Sequence, residues 1–272
     1  MPIIQANGLR FHVVDEGAGP PVVLLHGFPD TSYLWRHQIA ALKDAGFRAI
    51  APDLRGRGKT ERPATVEDYA LRHSMADVAA LMDALGIERA HIVAHDWGAA
   101  VAWLFAALLP QRVERLIATS VGHFAATGPR PSLEALQKGW YRILFLVPDI
   151  EPALQQDDWY LLRTLFEGAG DLERFLQDLA EPGALTAALN WYRAKMSPHR
   201  LAGAAPQLPP VQVATMGVFS TGDHYLTEDA MRRSAEFVTG QWRYERIEGA
   251  THWIPADAPE QFNALMLDFL RS

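Results

Sequence analysis

The sequence predicts an α/β protein with a mostly parallel sheet, helices on both faces and an inserted helical cap. Two observations support this fold class. Short apolar runs alternate with helical stretches along the first part of the chain, as they do in parallel sheets. The alternation stops between residues 123 and 209, where the sequence is helical, and strand-like runs resume afterwards. A chain of 272 residues, 49% of them hydrophobic, can bury a large core and carry such an insert.

The first predicted element is a β-hairpin, because Asn7-Gly8 separates the apolar runs IIQA and LRFHVVDEG. Asn-Gly between alternating runs is the strongest short hairpin signal. One helix is predicted over residues 74–85, with Gly86 just past its end, and a last helix over residues 258–271. The later runs predicted to contain strands are PPVVLLHG, FRAIAPD, HIVAHD, VERLIATS, VQVATMGVFSTGD and WRYERIEGATHW.

The predicted cap is bounded by two linker-like stretches, GHFAATGPRPS and GAAPQLPP, which are rich in Gly, Pro and Ala. We therefore divide the chain into a core domain (1–122 and 210–272) and a helical cap domain (123–209). The helical stretches within the cap are LEALQKGWYRILFL, DDWYLLRTLF, DLERFLQDL and GALTAALNWYRAKM.

The amino-acid composition argues against several classes of function. The net charge is −7 and Lys and Arg do not cluster, which argues against nucleic acid or an anionic membrane as partner. The chain has no Cys, so disulfides, thiolate nucleophiles and Cys–zinc sites are excluded. No secretory start and no apolar run of the roughly 18 residues that span a membrane are evident. We expect a cytoplasmic protein, and the oligomeric state stays open.

Asp96 occupies the point where the apolar run HIVAH gives way to a helical stretch. One interpretation is a helix N-cap, for which Asp is a preferred residue. The small residues Ala94, Gly98 and Ala99 favour a second interpretation, because a sharp strand-to-helix turn needs small neighbours. That turn is the nucleophile elbow, usually written G-x-S-x-G. Here Ala replaces the first Gly and Asp replaces the Ser.

Three chemically reactive residues follow predicted strands. Active-site residues of open parallel sheets lie beyond the carboxyl ends of the strands. Asp96, Asp223 and His252 occur in that order, each after such a run. Nucleophile, acid and histidine in this order are typical of the α/β-hydrolase fold. The coincidence of chain order, strand ends and elbow therefore predicts a catalytic triad with an aspartate nucleophile.

Two competing patterns are weaker. Ser120 also lies in an elbow-like sequence, ATSVG, but HFAATGPRP follows it and cannot form the required helix. The pairs His95-Asp96 and Asp223-His224 suggest a metal, but further ligands at helical spacing are missing. We therefore predict no metal site and no cofactor.

Five motifs resemble the α/β-hydrolase branch that contains soluble epoxide hydrolases and the haloalkane and fluoroacetate dehalogenases. The resemblance covers essentially the whole chain. It implies that Asp96 is the nucleophile, His252 the base and Asp223 its partner. It also implies an oxyanion hole made by the backbone N–H groups of Phe28 and Trp97. The motifs are HGFPD, APDLRGRG, AHDWGAA, STGD and THW.

The predicted cap favours the epoxide hydrolases within this branch. Epoxide hydrolases place two cap tyrosines over the nucleophile, and one of them lies in an N-W-Y-R segment that matches residues 190–193 here. The other lies seven residues before a proline, as Tyr141 precedes Pro148. The resemblance implies that Tyr141 and Tyr192 hydrogen-bond the epoxide oxygen and act as general acids.

The dehalogenases of the branch differ at informative positions. Fluoroacetate dehalogenases carry His where Tyr141 stands, and arginines where this chain has Trp97 and Ala100. Haloalkane dehalogenases often have Asn in place of Phe28. The chain departs from its own branch at Ala94 in the elbow and at Leu146, where many relatives have Gln. Neither departure removes a reacting group.

We therefore predict a cofactor-independent epoxide hydrolase that acts on a small, apolar or aromatic epoxide. The first alternative is a dehalogenase that uses Asp96 as nucleophile, with Trp97 and a cap tryptophan holding the halide. The second is a non-catalytic ligand receptor on the same fold. Five further residues are expected to line the substrate pocket: His26, Pro29, Trp140, Trp191 and Trp253.

Overall fold

A computed structural model describes residues 2–127, 131–195 and 208–272. In these ranges eight strands form one sheet, in the order β1-β2-β4-β3-β5-β6-β7-β8. The first two strands are antiparallel to their neighbours, and the pairs from β4 to β8 are parallel. The predicted fold class is confirmed. The strands are β1 (Ile3–Ala6), β2 (Leu9–Gly17), β3 (Pro21–Leu25), β4 (Arg48–Pro52), β5 (Ala90–His95), β6 (Val113–Thr119), β7 (Ala214–Ser220) and β8 (Trp242–Ile247).

Helices connect the parallel strands and fill the insert between β6 and β7. The helix α6 is interrupted at 156–159, where the backbone leaves the helical conformation. The α-helices are α1 (Arg36–Asp44), α2 (Leu71–Ala84), α3 (Trp97–Leu108), α4 (Leu133–Lys138), α5 (Tyr141–Leu144), α6 (Glu151–Leu165), α7 (Leu172–Ala180), α8 (Ala184–Lys195), α9 (Glu228–Arg233), α10 (Ile254–Asp257) and α11 (Pro259–Arg271).

The hairpin at the start of the chain forms as predicted. Ala6 pairs with Leu9, and the two residues between them have positive φ, 45° at Asn7 and 79° at Gly8. Positive φ at both central residues is the signature of the type I′ turn, whose twist matches that of the flanking strands. The hairpin places an antiparallel ribbon at one side of the sheet.

The sheet order brings the carboxyl ends of β3, β5, β7 and β8 to one edge. β5 lies between β3 and β6, and all of its residues are buried. Strands buried on both faces read as continuous apolar runs, which is why HIVAH was recognisable in the sequence. The segments that follow β3, β5, β7 and β8 carry the candidate active-site residues, so they meet above this edge.

The insert contains the helices α4 to α8, and we call these the inserted helices. The stretch LEALQKGWYRILFL forms two short helices rather than one, with the break at Gly139 and Trp140. The division into a core and a cap domain stays a prediction, since part of each linker-like stretch lies outside the described residues. None of the helices described is long and apolar enough to cross a membrane.

Candidate active site

Asp96 lies at a strained turn between β5 and α3. Its backbone has φ 49° and ψ −118°, a conformation that a non-glycine residue seldom adopts. Asp96 stands at the N-cap position of α3, but its side chain makes no capping hydrogen bond to the helix, so capping does not account for the carboxylate. Instead, Asp96 Oδ1 accepts a hydrogen bond of 2.8 Å from the backbone N–H of Phe28. The turn therefore presents the carboxylate to the loop that follows β3.

The neighbours of this turn are small because the backbones approach closely. A Cβ atom at Gly98 would overlap the carbonyl oxygens of Leu25 and His26, and one at Gly27 would overlap the Asp96 carboxylate. Ala94, which replaces the usual first glycine, is fully buried in β5 opposite Leu25. The departure at Ala94 is therefore accommodated in the sheet, whereas Gly98 has no room for a side chain.

Asp96, His252 and Asp223 come together as a triad. His252 Nδ1 lies 2.8 Å from Asp223 Oδ2, which is hydrogen-bond distance. The other ring nitrogen, His252 Nε2, lies 3.7 Å from Asp96 Oδ2. That distance is too long for a direct hydrogen bond but short enough for an ion pair. The imidazole is thus oriented by one carboxylate and faces the other.

The Asp223 carboxylate is held from the far side by backbone donors. Its Oδ1 atom accepts hydrogen bonds from the N–H groups of Tyr225 (2.8 Å) and Leu226 (3.0 Å). Lys138, at the end of the inserted helix α4, donates 2.9 Å hydrogen bonds to the carbonyl oxygens of Asp223 and Leu226. The loop that carries the acid is therefore tied to the inserted helices.

Two buried residues hold the backbone of His252. His95 Nε2 lies 2.9 Å from the His252 carbonyl oxygen, and Ser120 Oγ donates a 3.1 Å hydrogen bond to the same oxygen. Burial lowers the pKa of His95 to about 3, so its ring is neutral and can donate. Ser120 follows β6 and has no helix directly after it, as the sequence indicated. Its hydroxyl positions the candidate base and is not at the elbow.

The charges of the triad stabilise one another. Burial favours the neutral form of each group, but the imidazolium of His252 and the Phe28 N–H outweigh it and lower the pKa of Asp96 to about 2. Burial also opposes protonation of His252, but the carboxylates of Asp223 and Asp96 raise its pKa to about 10. The pKa of Asp223 is lowered, because His252 and backbone donors outweigh burial. The resting site therefore holds two carboxylates around one imidazolium.

Both candidate tyrosines face the nucleophile. Tyr141 on α5 and Tyr192 on α8 are buried, with ring centroids 6.1 Å apart. Burial and the nearby charge of Asp96 raise the pKa of both hydroxyls, so both stay protonated as donors. They share one cavity with the triad. Its lining comprises Phe28, Asp96, Tyr141, Leu165, Phe166, Tyr192, Tyr225, His252 and Trp253.

The five other residues predicted to line the substrate pocket do not all line the same cavity. Trp253 lines the tyrosine cavity, whereas His26 and Trp191 line a second cavity that shares Phe28 with the first. The prediction that Trp140 lines the substrate pocket is wrong, because its side chain is 55% exposed and lines neither cavity. Pro29 is buried beside Phe28 and also lines neither cavity. His26 is a neutral structural residue, because burial lowers its pKa to about 4 and its Nε2 accepts the Leu54 N–H.

Three residues of the site were missed by the sequence analysis. Tyr225 packs its ring against His252 at 5.2 Å and donates its hydroxyl to the Leu165 carbonyl oxygen. Phe166 packs against Phe28 at 5.7 Å. Arg57 is a buried cation that lines the second cavity and donates to the Asp30 carbonyl oxygen. No sequence motif points to Tyr225 or Phe166. Arg57 lies within the motif APDLRGRG, but nothing in that motif indicates a role in the site. Within the described ranges, no group of three His, Asp or Glu side chains is arranged to hold a metal ion.

A family model described as "alpha/beta hydrolase fold" matches residues 20–259. The chain belongs to the α/β-hydrolase fold family. Among curated relatives of this α/β hydrolase, epoxide hydrolase A of Mycobacterium tuberculosis is 33% identical, and the alignment covers 98% of this chain and 96% of the relative. The chain is thus an epoxide hydrolase-like member of the family, as the motifs indicated.

Solved structures of epoxide hydrolases are also similar to this α/β hydrolase. Epoxide hydrolase A from Mycobacterium thermoresistibile has a TM-score of 0.83 and 29% identity, with coverage of 100% of this chain and 98% of that one. An epoxide hydrolase from Bacillus megaterium, in complex with an inhibitor, has a TM-score of 0.89 and 25% identity, with coverage of 100% of both chains. The similarity extends over the inserted helices as well as the sheet.

Proposed function

We propose that the protein is an epoxide hydrolase that opens its substrate through an ester on Asp96. The observation that carries the proposal is the shared cavity: two protonated tyrosine hydroxyls, Tyr141 and Tyr192, line it together with Asp96 and His252. Opening of an epoxide ring produces a strongly basic alkoxide oxygen. Two positioned O–H donors can hydrogen-bond this oxygen and protonate it. Relatives named as epoxide hydrolases, aligned over nearly the full chain, support the assignment.

In the first step, Asp96 Oδ2 attacks an epoxide carbon. Oδ1 is engaged by the Phe28 N–H, whereas Oδ2 faces His252 across 3.7 Å. The carboxylate is ionised and needs no base, because its pKa is about 2. The carbon–oxygen bond of the epoxide breaks, and a proton from Tyr141 or Tyr192 neutralises the departing alkoxide. The product of this step is a hydroxyalkyl ester of Asp96.

Esterification removes the charge of Asp96 and lowers the pKa of His252, so His252 passes its proton to the tyrosine that protonated the alkoxide and becomes neutral. In the second step, neutral His252 takes a proton from water, and the hydroxide attacks the ester carbon of Asp96. Negative charge develops on Oδ1, which already accepts the Phe28 N–H. One such donor is typically worth about 2.7–4 kcal/mol of transition-state stabilisation. The Trp97 N–H is our proposed second donor, although it makes no hydrogen bond to Asp96 within the described residues. The diol then leaves with Oδ2, and its alkoxide takes the proton from His252. The new carboxyl group of Asp96 passes its proton to His252, which restores the ion pair of the resting site.

The dehalogenase alternative is less well supported by the indole groups. Trp191 Nε1 donates a 3.1 Å hydrogen bond to the Arg55 carbonyl oxygen, so it is already engaged. Trp140 is exposed and lines neither cavity. A departing halide needs N–H donors rather than a proton, and the side chain of Trp97 already hydrogen-bonds that of Tyr192. The receptor alternative leaves unexplained why an ion-paired triad lies in the cavity.

The character of the substrate follows from the cavity lining. Phe28, Phe166, Leu165 and Trp253 surround the reactive groups with apolar surface. We propose a small, apolar or aromatic epoxide, which such a lining would bind by excluding water. We also propose that the inserted helices form the cap domain of this enzyme, since they supply both tyrosines. The proposed reaction needs no cofactor.

The covalent step is tested by isotope labelling. A single turnover in heavy-oxygen water should place one heavy oxygen in Asp96, because water attacks the enzyme ester and Oδ2 leaves with the diol. Mass spectrometry of the peptides locates the label. The peptide that contains Asp223 is the internal control and should stay unlabelled. Asp96 should also stay unlabelled in protein incubated without substrate. Label in the diol alone would show that water attacks the substrate directly.

The two steps should respond differently to pH. Asp96 has a pKa of about 2 and His252 of about 10, so the alkylation rate should be nearly flat from about pH 4 to about pH 9. Esterification removes the charge of Asp96, which lowers the pKa of His252 because one of its two carboxylates is lost. The hydrolysis rate should therefore fall as the pH drops and His252 becomes protonated.

Stopped-flow tryptophan fluorescence and rapid quenching separate these two rates across the pH range. Trp97 and Trp253 lie next to the reacting residues in sequence and report on the ester. An acid limb in the alkylation rate near neutral pH would contradict the depressed pKa of Asp96. A hydrolysis rate independent of pH would contradict the role of His252 as base.

A further inference from the structure

The NWYR segment, residues 190–193 of the inserted helix α8, contains one residue with a role in the proposed reaction, Tyr192. Trp191 and Arg193, on either side of it in sequence, each join α8 to a different part of the fold. Successive side chains of a helix point about 100° apart, so these two neighbours leave α8 on opposite sides of Tyr192. They are therefore placed to fix the rotation of the helix about its axis, and with it the direction of the Tyr192 side chain.

Trp191 is anchored to the loop that follows β4. Its buried indole Nε1 donates a 3.1 Å hydrogen bond to the Arg55 carbonyl oxygen. The guanidinium of Arg55 makes a bidentate ion pair with Asp77, at 2.8 and 2.7 Å, and both side chains are buried. Asn7 donates to the same carboxylate, and Arg55 also donates to the Asp68 carbonyl oxygen. A buried polar network whose bonds are made is rigid, so the acceptor of the Trp191 indole is a fixed point of the fold.

Arg193 makes the second tie, which runs to the inserted helix α6. Its Nη1 and Nη2 atoms donate hydrogen bonds of 2.8 and 3.1 Å to the two carboxylate oxygens of Glu151. The two side chains are 18% and 19% exposed, so water screens this pair in part. The pair is therefore the weaker of the two ties, and Trp191 is the principal one.

Tyr192 itself is held mainly by contacts between rings. Its ring lies edge-on to those of Phe28, Trp97 and Phe145, with centroids 5.3, 5.1 and 5.0 Å away. Apolar packing is not directional, so these contacts alone permit small shifts of the hydroxyl. The side chain of Trp97 also hydrogen-bonds that of Tyr192. An indole N–H can only donate, so the Tyr192 oxygen accepts this bond and its own proton stays free for a substrate.

We propose that Trp191 and Arg193 are positioning residues, which hold Tyr192 at the angle where its hydroxyl reaches the epoxide oxygen. The inference rests on the proposed epoxide hydrolase function. Neither residue lines the cavity of the triad, so both act through the helix that carries Tyr192. They should matter for ring opening, in which Tyr192 is an acid, and far less for ester hydrolysis, in which His252 is the base.

The first test is Trp191→Phe, which removes the indole N–H and keeps an aromatic ring. Alkylation should slow about 10- to 100-fold, since a misplacement of about 1 Å can cost that much, and ester hydrolysis should change little. The matched control is Trp103→Phe. Trp103 is buried in α3, and its Nε1 donates a 2.9 Å hydrogen bond to the Val121 carbonyl oxygen. Both variants lose the same kind of bond, but only the first should slow alkylation.

The effect of Trp191→Phe should also depend on which tyrosine is present. In a Tyr192→Phe background no hydroxyl is left to position, so the second change should cause no further slowing of alkylation. In a Tyr141→Phe background Tyr192 is the remaining donor, so the second change should have at least its full effect. A purely structural role would slow alkylation by the same factor in both backgrounds, because independent effects multiply.

Arg193→Met should show the same pattern with a smaller loss of alkylation, because its ion pair is partly screened. The control is Arg163→Met. Arg163 also makes a bidentate pair, with Glu173, and this pair joins α6 to α7 without touching α8. Its loss should leave the alkylation rate close to that of the wild type.

Fluorine NMR of protein made with fluorotyrosine tests the position of Tyr192 without turnover. The signal that disappears in Tyr192→Phe identifies this residue. It should be shifted or broadened in Trp191→Phe and unchanged in Trp103→Phe. A wild-type protein that no epoxide alkylates would refute the proposed function. An unchanged Tyr192 signal in Trp191→Phe, or equal slowing of alkylation in the two tyrosine backgrounds, would overturn the positioning role.

Discussion

Replacing His252 by Gln is expected to stop the protein after its first chemical step. Asp96 attacks the epoxide without help from a base, because its carboxylate is ionised in the resting site. Hydrolysis of the ester needs a proton acceptor, and Gln cannot supply one. Turnover should fall by at least about 10²–10⁴-fold, the range assigned to a positioned acid or base. The protein should gain the mass of one substrate molecule, seen by intact mass spectrometry.

The matched control for this variant is His91→Gln. His91 is also a buried histidine, but it lies near the start of β5, whereas Asp96 follows the end of that strand. The control should turn over at close to the wild-type rate and show no adduct. Normal turnover by a folded His252→Gln protein would exclude His252 as the base. Absence of both turnover and adduct would place His252 in the first step.

Changing Tyr141 and Tyr192 together to Phe is expected to abolish epoxide ring opening. Each change removes a hydroxyl and keeps a ring of nearly the same shape, so the packing against Phe145 at 5.5 and 5.0 Å should survive. Each single change should slow alkylation, at the lower end of about 10²–10⁴-fold because the partner hydroxyl remains. The double variant has neither donor, and its alkylation should fall to near background.

The control for the tyrosine pair is Tyr225→Phe. Tyr225 lines the same cavity, but its hydroxyl donates to the Leu165 carbonyl oxygen and not to the space above Asp96. Its loss should change alkylation far less than either single variant. The double variant is also assayed on short haloalkanes, with circular dichroism to verify folding. Near wild-type epoxide turnover by a folded double variant would refute the tyrosine assignment and reopen the dehalogenase alternative.

Much of the fold was predictable because its signals are local. Asn7-Gly8 determines a hairpin turn through the φ values that these two residues tolerate. Buried parallel strands are apolar on both faces, so HIVAH and its counterparts stood out as short runs. Asp96 between small residues marked the elbow, because Gly98 and its surroundings leave no room for larger side chains. These patterns indicated the α/β-hydrolase fold, and the family model that matches residues 20–259 confirms it.

The tertiary structure alone decided which neighbours face the cavity. Trp140 and Tyr141 are adjacent in sequence and both aromatic, yet one is 55% exposed and the other buried. Successive side chains of a helix point about 100° apart, so only the packing of α5 against the core selects the inner one. The break at Gly139 further offset α5 from α4, and no periodic pattern anticipated it.

Contacts between distant segments were also beyond the sequence. Tyr225 belongs to a loop whose place is set by backbone donors to Asp223 and by a bond to Leu165, sixty positions away in the chain. The bond from the Phe28 N–H to Asp96 likewise joins residues 68 apart. The sequence by itself determined which groups are available and in what chain order. Their distances, charges and orientations were decided by the packing of the sheet edge against the inserted helices, because such contacts have no local pattern.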